Sequence, residues 1–262
     1  LPHIKHYRPL TSAEFIEDII YLRNNFAFIS YEELEAGSAR HAPGHFVIIT
    51  FDDGFAQCAD VIAPILLRYQ INGVFFVITD LIDNAATFRE SIASLCIHKV
   101  LSSSPERIEE IVRALNLQPR IDSLVETAHG VTKPSLEMAD LGTGMDARKS
   151  PVIHWLLTAT ESEKGLLNEF GARLGIKVEE YVKEVRPYLT SPQIRGLRSS
   201  GFTIGAHSCS HQLLQGLTQR EAEREIVESC RIRRDLTGQL TVPFALPFFG
   251  GGIRTKWLAD LR

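Results

Sequence analysis

The chain has 262 residues, 44% hydrophobic and 23% charged, which is typical of a globular protein with one large α/β domain or one domain with an insertion. Its formal net charge of -4 argues against a nucleic-acid binder that relies on phosphate contacts. The four cysteines have no CxxC spacing and predict no disulfide framework, and no apolar run is long enough to cross a membrane. Because the sequence begins at Leu1, a signal peptide could have preceded it, and both the cytoplasm and the cell envelope stay open as compartments.

The first part of the chain predicts alternating helices and strands. Thr11 and Glu14 form a capping-box pattern at the start of a helix. The continuous apolar run HFVIITF (45–51) predicts a strand covered on both faces. A helix follows whose regular part begins near Pro64, and VFFVIT (74–79) predicts a second buried strand. A strand, a helix and a strand in this order predict a right-handed parallel crossover.

Residues 84–185 differ in character, because buried-strand patterns stop there. We interpret them as a mainly helical insertion within a single domain that spans residues 1–262. Two amphipathic helices, each opened by a Ser-Pro pair, are predicted over 104–117 and 150–176, and Trp155 is expected in the core.

The α/β pattern resumes near residue 190. Thr190 or Ser191 is expected to cap a helix that ends at Gly201, and FTIGA (202–206) predicts a strand. Further elements are predicted to follow: a helix capped at Thr218 and Glu221 and closed by Gly238, with Arg231, Arg233 and Arg234 facing solvent; a strand VPFALPF (242–248); and the start of a helix, TKWLADLR (255–262).

Two neighbouring carboxylates, Asp52 and Asp53, come directly after the first predicted parallel strand. Ligands bind at the carboxyl ends of such strands, so one carboxylate could bind a metal while the other faces a substrate. Asp also caps helix N-termini, and the pair alone favours neither interpretation over the other.

His207 and His211 follow another predicted strand, four residues apart. If this segment is helical, both imidazoles lie on one side and can share one ion. Two unrelated surface histidines are the alternative. Two imidazoles and a carboxylate suit Zn²⁺ or another divalent transition metal, and Cys209 is expected to pack rather than bind.

Three motifs together carry a family resemblance: TFDDG (50–54), HSCSH (207–211) and FALPF (244–248). They resemble the first three motifs of the polysaccharide deacetylases, the NodB-homology group or carbohydrate esterase family 4. The likeness covers about Val47 to Asp83 and Leu189 to Phe249. It implies a deformed (β/α) barrel, here with a mainly helical insertion.

The resemblance also implies residue roles. Asp53, His207 and His211 would hold one divalent metal, with zinc favoured and cobalt, nickel or manganese as alternatives. Asp52 would be the general base, and the backbone N–H of Phe248 would stabilise the oxyanion. The substrate would be an acetylated glycan, with N-acetyl favoured over O-acetyl, and the oligomeric state stays open.

The chain departs from the family pattern in two ways. Ala245 and Leu246 stand where polar third-motif residues are often found, which puts polar support for Asp52 in doubt. The family's last two motifs, including the histidine that acts as general acid, would lie after residue 262. The C-terminal part of the fold is therefore expected to be missing from this sequence, and the general acid is unknown.

Two other functions stay open. Relatives with the same chemistry open small cyclic amides. An apolar closed pocket would favour such a small amide as substrate, whereas a long open groove would favour a glycan. The other alternative is a catalytically impaired member that only binds glycans.

Overall fold

The computed structural model describes residues 8–37, 44–128 and 147–248. The predicted helix over 255–262 lies outside these ranges. The chain forms two compact units: a helical unit that includes Thr87–Val185, and an α/β unit built from Leu10–Ala86 and the described residues from Arg186 onward.

The helices and strands are numbered in chain order. The helices are α1 Ser12–Asn25, α2 Tyr31–Glu35, α3 Ala63–Arg68, α4 Arg89–Ser102, α5 Pro105–Ala114, α6 Gln118–Ala128, α7 Ser150–Thr158, α8 Lys164–Arg173, α9 Val178–Val185, α10 Ser191–Ser199 and α11 Gln219–Thr237. The strands are β1 Ala27–Phe28, β2 Phe46–Val47, β3 Ile49–Phe51, β4 Gly73–Val77 and β5 Thr203–Ala206. None of the described helices is both long and apolar enough to cross a membrane.

The strands of the α/β unit form two parallel sheets. β1 pairs with β2, and the second sheet has the order β3-β4-β5. The parallel pairing of the predicted strands is thus confirmed. The prediction of a single strand over 45–51 is wrong, because Ile48 separates two strands: β2 belongs to the first sheet and β3 to the second. Its faces are only half-covered and Thr50 is exposed, because β3 is an edge strand among the described residues.

Local signals determine most helix ends of this unit. The predicted capping boxes at Thr11 and Thr218 are present, and Thr190, one of the two residues expected to cap α10, is its N-cap. Pro64 lies in the first turn of α3, directly after a π-helical segment, Cys58–Ile62, so the regular α-helix begins beside the residue that has no N–H to donate. Gly238 ends α11 with φ 70°, a left-handed conformation that glycine adopts without strain.

Aromatic side chains fill the core of the α/β unit. Phe75 of β4 is fully buried; its ring stacks on Phe51 and contacts Phe202 edge-on, with both pairs of centroids 5.2 Å apart. Ile19 and Leu66, from α1 and α3, are also fully buried in this core. The core therefore fixes β3, β4 and the start of β5, whose carboxyl ends carry the candidate residues.

Two predictions for the C-terminal part of this unit are wrong. Residues 242–248 form no strand but a loop with one parallel bridge, between Phe244 and Ala206. Pro243 and Pro247 have no N–H to donate to a ladder. Arg233 does not face solvent but is fully buried, and it donates hydrogen bonds to groups of the chain that follows α11.

The described residues of the helical unit, Thr87–Val185, form helices and no strands. Trp155 is fully buried, as predicted, and contacts Phe170 edge-on at 5.3 Å. The helix predicted over 150–176 is instead divided into α7 and α8. The division follows from a capping box between Thr160 and Glu163, which starts a new helical turn.

Candidate metal centre and active site

Asp52 and Asp53 leave the end of β3 in a tight left-handed turn. Asp53 has φ 71° and Gly54 has φ 75°, and the Gly54 N–H donates to the Asp52 carbonyl at 2.9 Å. A Cβ on Gly54 would lie 3.1 Å from Val77 of the neighbouring strand, so only glycine fits here without strain. Asp52 is exposed and Asp53 is half-buried. Neither aspartate is the N-cap of the next helical segment, whose N-cap is Gln57, so the capping interpretation is wrong.

His207 continues directly from β5 and is 3% exposed. Its backbone N–H donates to the Val77 carbonyl, and its Nδ1 is 2.9 Å from the Ala245 carbonyl oxygen. Because a carbonyl can only accept, Nδ1 carries the proton and Nε2 is left as the atom with a free lone pair. The 242–248 loop, which is bridged to β5 at Phe244, therefore fixes the tautomer of His207 through the Ala245 carbonyl.

His211 reaches the same place through a loop, not through a helix. Ser208 and His211 have φ 64° and 63°, and the Ser208 hydroxyl accepts the His211 N–H at 2.9 Å. The expected helical segment is thus wrong, although the two imidazoles still lie together, with ring centroids 5.0 Å apart. The left-handed residues curl the chain back within four positions, which a regular strand could not do.

The two imidazoles and the Asp53 carboxylate form one compact group. Asp53 Oδ1 is 3.6 Å from Nε2 of His207 and 3.5 Å from Nε2 of His211, and the three candidate ligand atoms lie within 4.8 Å of one another. Ligands about 2.0–2.1 Å from a tetrahedral Zn²⁺ lie about 3.4 Å apart. The group fits such an ion and leaves one position open. Cys209 is not part of it; the thiol is buried, with Sγ 3.8 Å from the Arg224 carbonyl oxygen.

Burial controls protonation around this group. It lowers the pKa of His207 and outweighs the hydrogen bond to the Ala245 carbonyl, which raises that pKa; the nearby His211 lowers it further, and the carboxylates of Asp52 and Asp53 raise it. The neutral imidazole, which is the ligand form, is therefore favoured. Burial, followed by the charge of Asp53, raises the pKa of the Cys58 thiol to about 12, so this nearby cysteine is protonated and unreactive.

Sequence reasoning missed one side chain, Glu225 of α11. Its Oε2 accepts the backbone N–H groups of Cys209 and Ser210, both at 2.9 Å, and its Oε1 accepts the Ser210 hydroxyl at 2.9 Å. The sequence did contain a signal for it. Positions 222, 225 and 226 lie on the same face of the predicted amphipathic helix, so Glu225 puts a charge on the face that buries Ala222 and Ile226.

The profile of the family described as polysaccharide deacetylase matches residues 39–116 and 171–259, more than half of the chain. The chain belongs to the polysaccharide deacetylase family. The resemblance of the three motifs is therefore confirmed, and membership supports a hydrolytic glycan deacetylase. No curated protein sequence matches the chain.

Several solved deacetylases are similar to this family member in fold. Streptococcus pyogenes deacetylase PplD, solved in complex with acetate, is 15% identical with a TM-score of 0.51, over 95% of this chain and 69% of that one. IcaB from Ammonifex degensii is also 15% identical with a TM-score of 0.51, over 98% and 77% of the two chains. The BpsB deacetylase domain from Bordetella bronchiseptica is 14% identical with a TM-score of 0.50, over 98% and 79%. At these identities the likeness concerns the fold, which is mixed α/β and rich in helices.

The third motif of this family member lies beside His211. The Phe248 ring is 4.7 Å from the His211 ring, the side chain is 54% exposed, and the backbone is left-handed with φ 60°. The structure therefore brings the first three motifs close together in the α/β unit, and Asp52 and Phe248 are exposed there.

Proposed function

We propose that the chain is a metal-dependent hydrolase that removes acetyl groups, N-acetyl in preference to O-acetyl, from a polysaccharide or glycan. Asp53, His207 and His211 would hold one divalent ion, with zinc favoured. The observation that carries the proposal is the pair of imidazole Nε2 atoms at 3.6 and 3.5 Å from Asp53 Oδ1, close to the spacing of ligands around one ion.

The bound ion would polarise the acetyl carbonyl and acidify a water molecule. Asp52, the neighbour of a candidate ligand and exposed, would accept the proton of the attacking water as general base. The Phe248 N–H would donate to the oxyanion that forms on the acetyl carbonyl oxygen when water adds to the carbonyl carbon. The leaving amine needs a proton, and we assign its donor to none of the described residues.

The exposure of the site supports a glycan over a small cyclic amide. Asp52 is exposed and the Phe248 ring is half-exposed beside His211, which suits a long substrate that lies across a surface. A small amide would need an enclosed apolar pocket to gain binding energy.

The family's deformed (β/α) barrel is part of the same proposal, with residues 84–185 as its helical insertion. The parallel order β3-β4-β5 and the position of the candidate residues at the carboxyl ends of β3 and β5 support this arrangement.

The test is metal analysis of the full-length protein, followed by acetate release from chitooligosaccharides with and without a chelator. Asp52→Asn should keep one metal per chain and lose at least 100-fold in kcat, since it removes a general base. Asp18→Asn, at an exposed position on α1, is the matched control and should change neither quantity. A folded protein without stoichiometric metal, or an Asp52→Asn variant with full turnover, would contradict the proposal. Metal binding without turnover in the wild type would favour the glycan-binding alternative.

A further inference from the structure

We propose that Glu225 is a positioning residue that holds the loop from His207 to His211 in its ligand-binding shape and so sets the affinity of the site for its metal. The inference rests on the metal site of the proposed function. It adds a residue that lies outside all three motifs and binds the two residues in the middle of the ligand loop, Cys209 and Ser210.

The contacts of Glu225 concentrate on the middle of this loop. Both carboxylate oxygens are used, and they accept three hydrogen bonds from two consecutive residues, Cys209 and Ser210. The side chain is only 8% exposed. Hydrogen bonds to a carboxylate are stronger than those between neutral groups, and burial reduces the competition from water.

The loop depends on such a partner because it is neither helix nor strand. The Cys209 and Ser210 N–H groups therefore donate to a side chain rather than to a backbone ladder. Ser208 and His211 also have left-handed backbones, which non-glycine residues adopt only when the surroundings hold them there. Loss of the carboxylate leaves the buried Cys209 N–H and the partly buried Ser210 N–H without this acceptor and favours relaxation of the loop.

The two histidines would respond differently to that relaxation. His207 is fixed independently, through its backbone bond to Val77 and its ring bond to Ala245. His211 lies at the far end of the loop, so its Nε2 would move relative to Asp53. We therefore expect weaker metal binding rather than loss of the site.

Packing alone gives no reason for a carboxylate at this position. Glu225 lies on the face of α11 that buries Ala222 and Ile226, where an apolar side chain would bury equally well. A buried carboxylate costs free energy unless it is paired or hydrogen-bonded, and the Glu225 carboxylate accepts its hydrogen bonds from Cys209 and Ser210 of the ligand loop.

The experiment measures Zn²⁺ affinity of the full-length protein by competition with a chromogenic chelator. Glu225→Ala should weaken binding about 10- to 100-fold, the usual effect of removing a group that orients a metal ligand. Glu225→Gln should stay within a few-fold of wild type, because its amide oxygen accepts both N–H groups and its NH₂ donates to the Ser210 hydroxyl. Glu228→Ala removes a carboxylate on the same helix that accepts hydrogen bonds from exposed Arg231; it is the matched control and should bind zinc as wild type does.

Melting temperatures of the metal-free variants separate positioning from stability. Glu225→Ala with wild-type affinity would overturn the inference, whatever its melting temperature, and so would an equal loss in Glu225→Ala and Glu225→Gln. If Glu225→Ala does not fold, Glu225→Asp decides: it keeps the charge but is one methylene too short, so wild-type affinity there would also overturn the inference. Failure of the proposed metal site is distinct, since wild type itself would then bind no zinc.

Discussion

Gly205 in β5 provides a quantitative test of the packing beside the site. It pairs directly with Phe76 of β4. A Cβ at position 205 would overlap the edge of the Phe76 ring and lie 2.9 Å from the Pro243 carbonyl oxygen. The ring can rotate, but the oxygen belongs to the backbone and already accepts the Ala206 N–H. Gly205→Ala must therefore displace the bridge that carries Ala245, the partner of His207.

We expect Gly205→Ala to lower the free energy of unfolding by about 1–2 kcal/mol. Overpacking in a core costs about 1–3 kcal/mol, and the lower entropy of the unfolded alanine chain offsets about 0.4–1 kcal/mol of it. Gly196→Ala is the matched control, because Gly196 lies within α10 and a Cβ there meets no atom within 4 Å. It should raise the free energy of unfolding by about 0.5–1 kcal/mol.

Both variants belong to the α/β unit and can be compared by urea unfolding followed by circular dichroism. Phe76→Leu added to Gly205→Ala should recover part of the loss, because it relieves the ring contact but not the one with the Pro243 oxygen. The steric argument would be refuted if both glycine variants changed the free energy of unfolding in the same direction, or if the Gly205→Ala protein were as stable as wild type.

Two further predictions concern buried charges. Partial burial raises the pKa of Glu163, but hydrogen bonds from Arg120, Thr160 and Trp155 outweigh it and lower the pKa to about 2. This stabilisation is complete above the unfolded pKa of about 4.3 and is lost as the pH falls towards 2; discounted for solvent screening, it is about 1–2 kcal/mol. The stability difference between wild type and Glu163→Gln should therefore shrink between pH 4.5 and 2 in urea titrations, and a constant difference would contradict it. Arg233→Lys should lower the free energy of unfolding at neutral pH by about 1–3 kcal/mol, because one ammonium cannot replace a guanidinium group bonded to separate acceptors. Arg231→Lys, at an exposed position, is the control and should leave the free energy of unfolding unchanged. Equal effects of the two substitutions would contradict the prediction.

Local chemistry explains which parts of the fold could be predicted from sequence. The capping boxes at Thr11 and Thr218 and the position of Pro64 were predicted correctly, because each depends on residues within one turn. The strand predicted over 45–51 was wrong because long-range partners, not composition, divided it between two sheets.

The same contrast between local signals and long-range contacts holds for the candidate site. The spacing of His207 and His211 predicted that the rings would meet, but the helix behind that prediction does not exist. Ser208 and the distant Glu225 shape the loop instead, and the residues around the two histidines do not reveal that Glu225 is their partner. The burial of Arg233 was missed because two of its acceptors, the Gln239 side chain and the Thr241 carbonyl, lie in the chain after α11.

The wide separation of the candidate ligands along the chain has a consequence for biosynthesis. Roughly 160 residues separate Asp53 from His211, and a whole helical unit lies between them. During translation the first ligand leaves the ribosome long before the second, so an ion cannot guide folding of the early strands as it does in a zinc finger. Metal uptake would instead be a late maturation step that succeeds only after β5 has joined β4.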